Sequence, residues 1–409
     1  MQFLKDASGI KSAGFGLALI GSAFSISVCG VGLAVYLAGV LIELFSAREY
    51  DWRPFPHLKF LIPLLGCLIV SMAISDYFMV SARGLFKYVE GFILLYAGLD
   101  VIRNSRMLRR LVFLYLVCYT LALLAALAQE IYGLDFVYFR PAIAFQGDVY
   151  RLTGPFKHSN DFGSFLVPGF GILCAVILEA VWSRRRWRAV LAAVLFVLAS
   201  YCLARTLSRS ALLSVMLSLF VFGLFFRFRW KMTAVLILVL VCLAVIPSPV
   251  SQRMREIANP ASGNNRERVL LIGTAVRMIR QSPVFGLGLN TYSDYFPEFR
   301  PADYDTIMYA HNSYLQIATE SGLVGISFYL LFLLVLLGSF CRGIAKSPPT
   351  PARTLGIGLA AGITGLMFNA LFESLLQSTR IRTLFWCLMG MSAALVYMQY
   401  FKAGKDAGS

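Results

Sequence analysis

Apolar runs of roughly 18 to 25 residues recur along the whole chain, each long enough to carry a helix across a bilayer. Residues 14–46 form one such run, but 33 residues at 1.5 Å rise would reach about 50 Å, too far for a single crossing. A break near Gly30 divides it into two helices. The remaining runs are 58–75, 82–99, 111–130, 161–182, 188–204, 210–226, 232–249, 321–340, 354–375 and 382–401. Together they predict an all-α, polytopic membrane protein of about twelve spans. The lysines before the first run resemble those of a signal peptide, but no small-residue cleavage site follows, so the run is kept as the first span. Only 14% of the 409 residues are charged, against about 25% in soluble domains, and mean hydropathy is +0.72. The eight cysteines lie in or beside apolar runs without a C-x-x-C pair, which reads as packing rather than metal or disulfide chemistry.

The formal charge of +16 suits nucleic acid, anionic lipid or an anionic substrate. Its distribution decides between them. Most lysines and arginines fall at the termini, in 47–60 and in the clusters "RNSRMLRR", "SRRRWR", "RFRWK" and "CRGIAKSPPTPAR" on alternate connectors. By the positive-inside bias both termini are cytoplasmic, and segments 131–160 and 250–320 face the opposite, outer side. Arg205, Arg209, Arg380 and Arg382 then sit on short outer connectors. Arg253, Arg255, Arg266, Arg268, Arg277, Arg280 and Arg300 lie in the long outer segment. Basic residues there run against the orientation bias, which points to an anionic ligand at the outer face and not to nucleic acid. Within that segment "SGNNRERVLLIGTAVRMIRQSPVFG" predicts an interfacial helix ending at Pro283 and Gly286, with Val269, Ile272, Val276 and Ile279 as its apolar face.

The polar cluster "YAHNSYLQIATESGLVG" precedes the run at 321. On a helix Asn312, Gln316 and Glu320 fall at i, i+4 and i+8 and form one stripe, while His311 heads the neighbouring one. Outer arginines around His311 disfavour imidazolium and leave a base. Arg209, in "TLSRSALLSV", has no acid close in sequence, and a diphosphate would pair with it through parallel hydrogen bonds. Arg151, Lys157, His158 and Asn160 gather before the run at 161. Lys87 and Glu90, three apart within a span, can satisfy each other. Asp303 and Asp305 resemble a two-carboxylate metal motif, but so short a pattern recurs by chance, and no metal site is assigned. Walker A, dinucleotide-binding and serine-hydrolase signatures are absent.

Taken together, "SRS" at 208–210, "RVLLIGTAVRMIRQSPVFGLGLNTY" from 268 and "AHNSYLQIATESGLVG" from 310 resemble the O-antigen ligase and polymerase superfamily. His311, Asn312, Leu315 and Gly322 match its histidine motif. Arg268, with Arg266 as the near alternative, matches the arginine that opens the outer helix. Arg151, Gly154 and Asn160 match its arginine–glycine–asparagine signature. The resemblance implies a single transmembrane glycosyltransferase domain over 1–409, in the inner membrane and working on the periplasmic face. Its donor would be an O antigen on undecaprenyl diphosphate and its acceptor a sugar hydroxyl of lipid A-core, both lipids of the membrane. It implies no cofactor. His311 would be the general base and Arg209, Arg268, Arg266 and Arg151 the diphosphate contacts, with Asn312, Asn160, Glu320 and Lys157 supporting them. A polymerase or a protein O-oligosaccharyltransferase would share these motifs. A lipid or polysaccharide transporter is the rival of another class, with Lys87 and Glu90 in its favour.

Arginines that do the work of a metal predict that glycan transfer persists in excess EDTA. Loss of transfer, restored by magnesium or manganese, would instead make Asp303 and Asp305 ligands.

Overall fold

The computed structural model describes residues 2–46, 53–55, 57–135, 140–141, 144–146, 149–226, 263–301, 304 and 309–406. Helices dominate them: α1 Gln2–Phe24, α2 Ile26–Ser46, α3 Leu58–Ala73, α4 Phe78–Val101, α5 Ser105–Tyr132, α6 Ser159–Trp182, α7 Arg186–Thr206 and α8 Arg209–Leu224. After these come α9 Gly263–Gln281, α10 Tyr292–Phe299, α11 Ser313–Lys346, α12 Pro351–Asn369 and α13 Thr379–Asp406. Two small antiparallel ladders interrupt the helical pattern between α5 and α6. β1 Leu134–Asp135 pairs with β2 Arg140–Pro141, and β3 Ala144–Gln146 with β4 Val149–Tyr150.

Among the described residues six helices (α2, α5, α6, α7, α11 and α13) are long and apolar enough to cross a membrane, and α3 and α8 are shorter apolar helices. The expected span at 232–249 lies outside the described residues. The first run breaks at Ser25, not at Gly30, and its glycines at 14, 21 and 32 are used for contact. A Cβ on Gly32 would stand 2.3 Å from the Ala18 amide nitrogen, so α1 and α2 pack backbone to backbone. At the centre of the bundle α13 has 83% of its apolar window buried, against 22% for α2, which therefore presents most of its surface outward. Trp386 of α13 meets Phe92 of α4 edge to face at 5.3 Å.

The expected span at 321 is the second part of a longer, broken helix. α11 begins at Ser313, where the Asn312 side chain accepts from the Tyr314 and Leu315 amides. It breaks at Gly322, with φ 71° and ψ 179°. The turn from Pro283 to Gly288 fits into that break. Leu287 and Gly288 donate their amides to the Thr319 and Glu320 carbonyls at 3.0 Å, and Leu323 donates to the Pro283 carbonyl at 2.8 Å. Ser71 of α3 adds a hydrogen bond to the Glu320 carbonyl at 2.6 Å. Helix α9 buries Leu271, Thr274, Ala275 and Met278 against Tyr292, Tyr295 and Phe296. Val269 and Ile272 of the same helix turn away from this cluster, 69% and 44% exposed.

Gly322 occupies a backbone region open essentially to glycine alone, at a cost of about 1–3 kcal/mol for other residues. A Cβ there would also meet the Val284 carbonyl oxygen at 2.1 Å. Gly322→Ala is therefore expected to lower the melting temperature of the purified protein clearly. An unchanged melting curve would contradict the interlock.

Candidate active site

A polar cavity of about 130 Å³ opens where the 151–158 segment, the α7–α8 connector, α9, the start of α11 and the α12–α13 loop meet. Each wall is held by backbone contacts. The Leu152 amide donates to the Arg205 carbonyl at 3.1 Å, and the Ser313 amide to the Ala370 carbonyl at 2.8 Å. Arg380 reaches the Pro155 carbonyl at 2.7 Å and lies over the Phe156 ring at 3.6 Å, fixing the segment that carries Arg151.

Three guanidiniums line the cavity. Arg151 donates to the Thr206 carbonyl and to Asn160 Oδ1, both at 2.8 Å. Arg209 opens α8 immediately after its N-cap, Ser208. Arg268 projects from α9. His311, with φ 46°, sits one residue before the α11 cap and faces the same space, its side chain one-third exposed.

The two acids of the cavity, Glu267 and Glu373, were not singled out from the sequence. Glu373 is nearly buried and gathers four partners. Its Oε1 accepts from Asn160 Nδ2 at 2.8 Å and Ser210 Oγ at 3.3 Å, and stands 3.5 Å from Arg268 Nη2. Its Oε2 lies 3.5 Å from His311 Nδ1. Its carbonyl accepts from Ser313 Oγ at 2.8 Å, which ties the Glu373 loop to the helix that His311 precedes. Glu373 falls inside the span expected at 354–375, whereas the helix ends at Asn369 and leaves that acid in the loop that follows. Glu267, between Arg266 and Arg268, accepts from the Tyr304 hydroxyl at 2.7 Å. Burial, and then this bond, push Tyr304 up to about 12, so it remains a donor at neutral pH.

Thus His311, Arg151, Arg209, Arg268 and Asn160 converge, although they are separated by up to 160 positions. Arg266 and Lys157 are exposed and do not line the cavity. Glu320 is placed elsewhere. It lines a second chamber of about 30 Å³ between α4, α11 and α13, where it accepts from Gln316 Nε2 at 3.0 Å and the Asn290 amide at 2.8 Å. Lys87 and Glu90 do not pair with each other. Lys87 bonds Asn290 Oδ1 and, at 3.1 Å, Gln377 Oε1, while Glu90 accepts from Arg382 at 3.1 Å. Arg380 and Arg382, expected at the outer surface, are buried among carbonyls and a carboxylate. Arg205 pairs with Glu130. Asp303, Asp305, Arg253 and Arg255 lie outside the described residues.

Residues 193–330 match the family model described as O-antigen ligase. Over that part, about a third of the chain, the sequence is similar to the O-antigen ligase family. The matched segment contains Arg209, Arg268 and His311; Arg151, Asn160 and Glu373 come to the same cavity from outside it. Proteins of this family are membrane glycosyltransferase-like enzymes that act in general on lipid-linked polysaccharide. No curated protein matches the chain.

Should Arg209 pair with a diphosphate, the geometry of its guanidinium matters as much as its charge. Arg209→Lys keeps the charge but loses the planar fork that grips two phosphate oxygens, so transfer is expected to fall at least about tenfold. Lysine supporting wild-type transfer would reduce Arg209 to general attraction of anions.

Proposed function

We propose that the chain, acting as a single transmembrane domain, moves O antigen from undecaprenyl diphosphate to a sugar hydroxyl of lipid A-core. The reaction would take place at the periplasmic face of the inner membrane, with both termini in the cytoplasm. The observation that carries this reading is one cavity lined by Arg151, Arg209, Arg268 and His311.

The chemistry asks for little else. Displacement at an anomeric carbon breaks the bond to the diphosphate and forms one to the acceptor oxygen, whose proton must leave. His311 would take that proton, contributing on the order of 10²–10⁴-fold. Arg209 and Arg268, with Arg151 beside them, would hold the negative charge that gathers on the departing diphosphate. Because guanidiniums stay charged at any physiological pH, the reading assigns that stabilisation to the chain itself and makes transfer metal-independent. Asn160 and Asn312 support the site at one remove, Asn160 by fixing Arg151 and Asn312 by capping the helix that follows His311.

Purified protein given the polyprenyl-diphosphate glycan and lipid A-core is expected to make the joined glycolipid. His311→Ala should transfer less than about 10% as much, at an unchanged melting temperature. A ladder of lengthened polyprenyl-linked chains from donor alone, with lipid A-core unmodified, would replace the ligase reading by a polymerase. Wild-type transfer by His311→Ala would remove the histidine from the base role.

A further inference from the structure

Glu373 presents a puzzle within this cavity. A site that attracts a diphosphate gains nothing from a carboxylate at its centre, because like charges repel most strongly where water is sparse. Yet Glu373 is 6% exposed and held from three separate parts of the fold. Asn160 of α6 and Ser210 of α8 donate hydrogen bonds, and Arg268 of α9 makes an ion pair at 3.5 Å, its Nη2 also donating to the Phe372 carbonyl. All three serve one oxygen, Oε1. They are also the groups that an incoming phosphate oxygen would use: an amide and a hydroxyl in the first turns of their helices, and a guanidinium from α9. The other oxygen, Oε2, stands 3.5 Å from His311 Nδ1, too long for a good hydrogen bond but within an ion pair's reach.

We infer that Glu373 is an internal stand-in for the donor's diphosphate, and that the donor, on binding, turns its carboxylate onto His311. This rests on the cavity being a diphosphate site. With the donor absent, Oε1 occupies Arg268, Asn160 and Ser210, which offsets part of the charge of the three clustered arginines. A diphosphate takes over those donors and repels the carboxylate, which then closes on Nδ1. A carboxylate on Nδ1 fixes the tautomer that leaves Nε2 free as the base, and it stabilises the imidazolium formed when Nε2 takes the acceptor's proton. Glu373 is therefore a positioning residue, and it makes the base effective only in a donor-loaded site. Ser313, whose hydroxyl holds the Glu373 carbonyl, keeps the two side chains within range while the carboxylate turns.

The inference makes two effects of one substitution run in opposite directions. Glu373→Gln removes a charge that competes with the diphosphate, so the full-length protein in detergent should bind inorganic pyrophosphate about tenfold more tightly by titration calorimetry. The same variant should transfer glycan from the polyprenyl-diphosphate donor to lipid A-core about 10²-fold more slowly, because the base loses its partner. A residue that only stiffened the loop would lower both. Glu373→Asp keeps the charge and withdraws it by one methylene. It should bind pyrophosphate like the wild type and still transfer slowly, which gives a second test if the glutamine variant melts early. Unchanged or weaker pyrophosphate binding by Glu373→Gln, or wild-type transfer by either variant, would overturn the inference while leaving His311 and the arginines in place. Pyrophosphate bound by neither the wild type nor the variants would remove the diphosphate site itself, and this inference with it.

Discussion

An unpaired peptide group in an apolar surrounding costs several kcal/mol, more than most single mutations take from a protein. The break in α11 creates such groups, and the turn from Pro283 to Gly288 satisfies them. This exchange of backbone hydrogen bonds decides where the site can be. It fixes the end of α9, hence Arg268, against the first turns of α11, hence His311. Serines of α3 complete it from a third direction, with Ser71 on the Glu320 carbonyl and Ser75 on the Leu287 carbonyl. No side chain of the cavity takes part, so the frame is independent of the chemistry it supports.

Charge is arranged with comparable economy. Of the described arginines expected at the outer face, Arg266 and Arg280 lie exposed, and Arg277 and Arg300 bond the Phe299 and Tyr304 carbonyls. Arg205, Arg380 and Arg382 are consumed within the fold, by Glu130, by backbone carbonyls and by Glu90. Arg151, Arg209 and Arg268 remain around the cavity. The polar chamber beneath α11 holds Lys87 between Asn290 and Gln377, and so joins the α9–α10 turn to the loop that carries Glu373. Intramembrane charge here has a structural explanation in named partners, and the feature that most favoured a transporter loses its force.

Much of this was legible in the sequence, and the failures share a cause. Periodicity and apolar length located nearly every described helix because both are local properties. Gly30 suggested a hinge, yet it has open space beside it, and glycines at 14, 21 and 32 serve close packing instead. The apolar stripe at Val269 and Ile272 was legible, but not the second face of the same helix, on which Leu271 and Met278 meet the aromatic residues of α10. The expected span at 321 left out the two polar turns of α11 before it, where Gln316 bonds Glu320 within the helix and Glu320 is matched by the Asn290 amide from another element. Glu373 escaped for the same reason: Asn160 lies 213 positions away and Ser210 163. Arginine, histidine and asparagine motifs could be matched one at a time, whereas an acid's meaning depended on which of them it would touch.

The break at Gly322 also has a mechanical side. Residues 323–346 form a long apolar rod, and rods in a bilayer tilt as the local thickness of the hydrocarbon changes. An unbroken helix would carry each tilt as a lever to its far end, and a rod of this length turns a few degrees into a displacement comparable to a hydrogen bond's tolerance. Here the helix is interrupted, and both pieces are tied to one turn: Leu287 and Gly288 hold the Thr319 and Glu320 carbonyls, while Leu323 and Val324 hold those of Pro283 and Val284. A tilt of the rod therefore loads the 283–288 turn, which shares it with the first turns of α11.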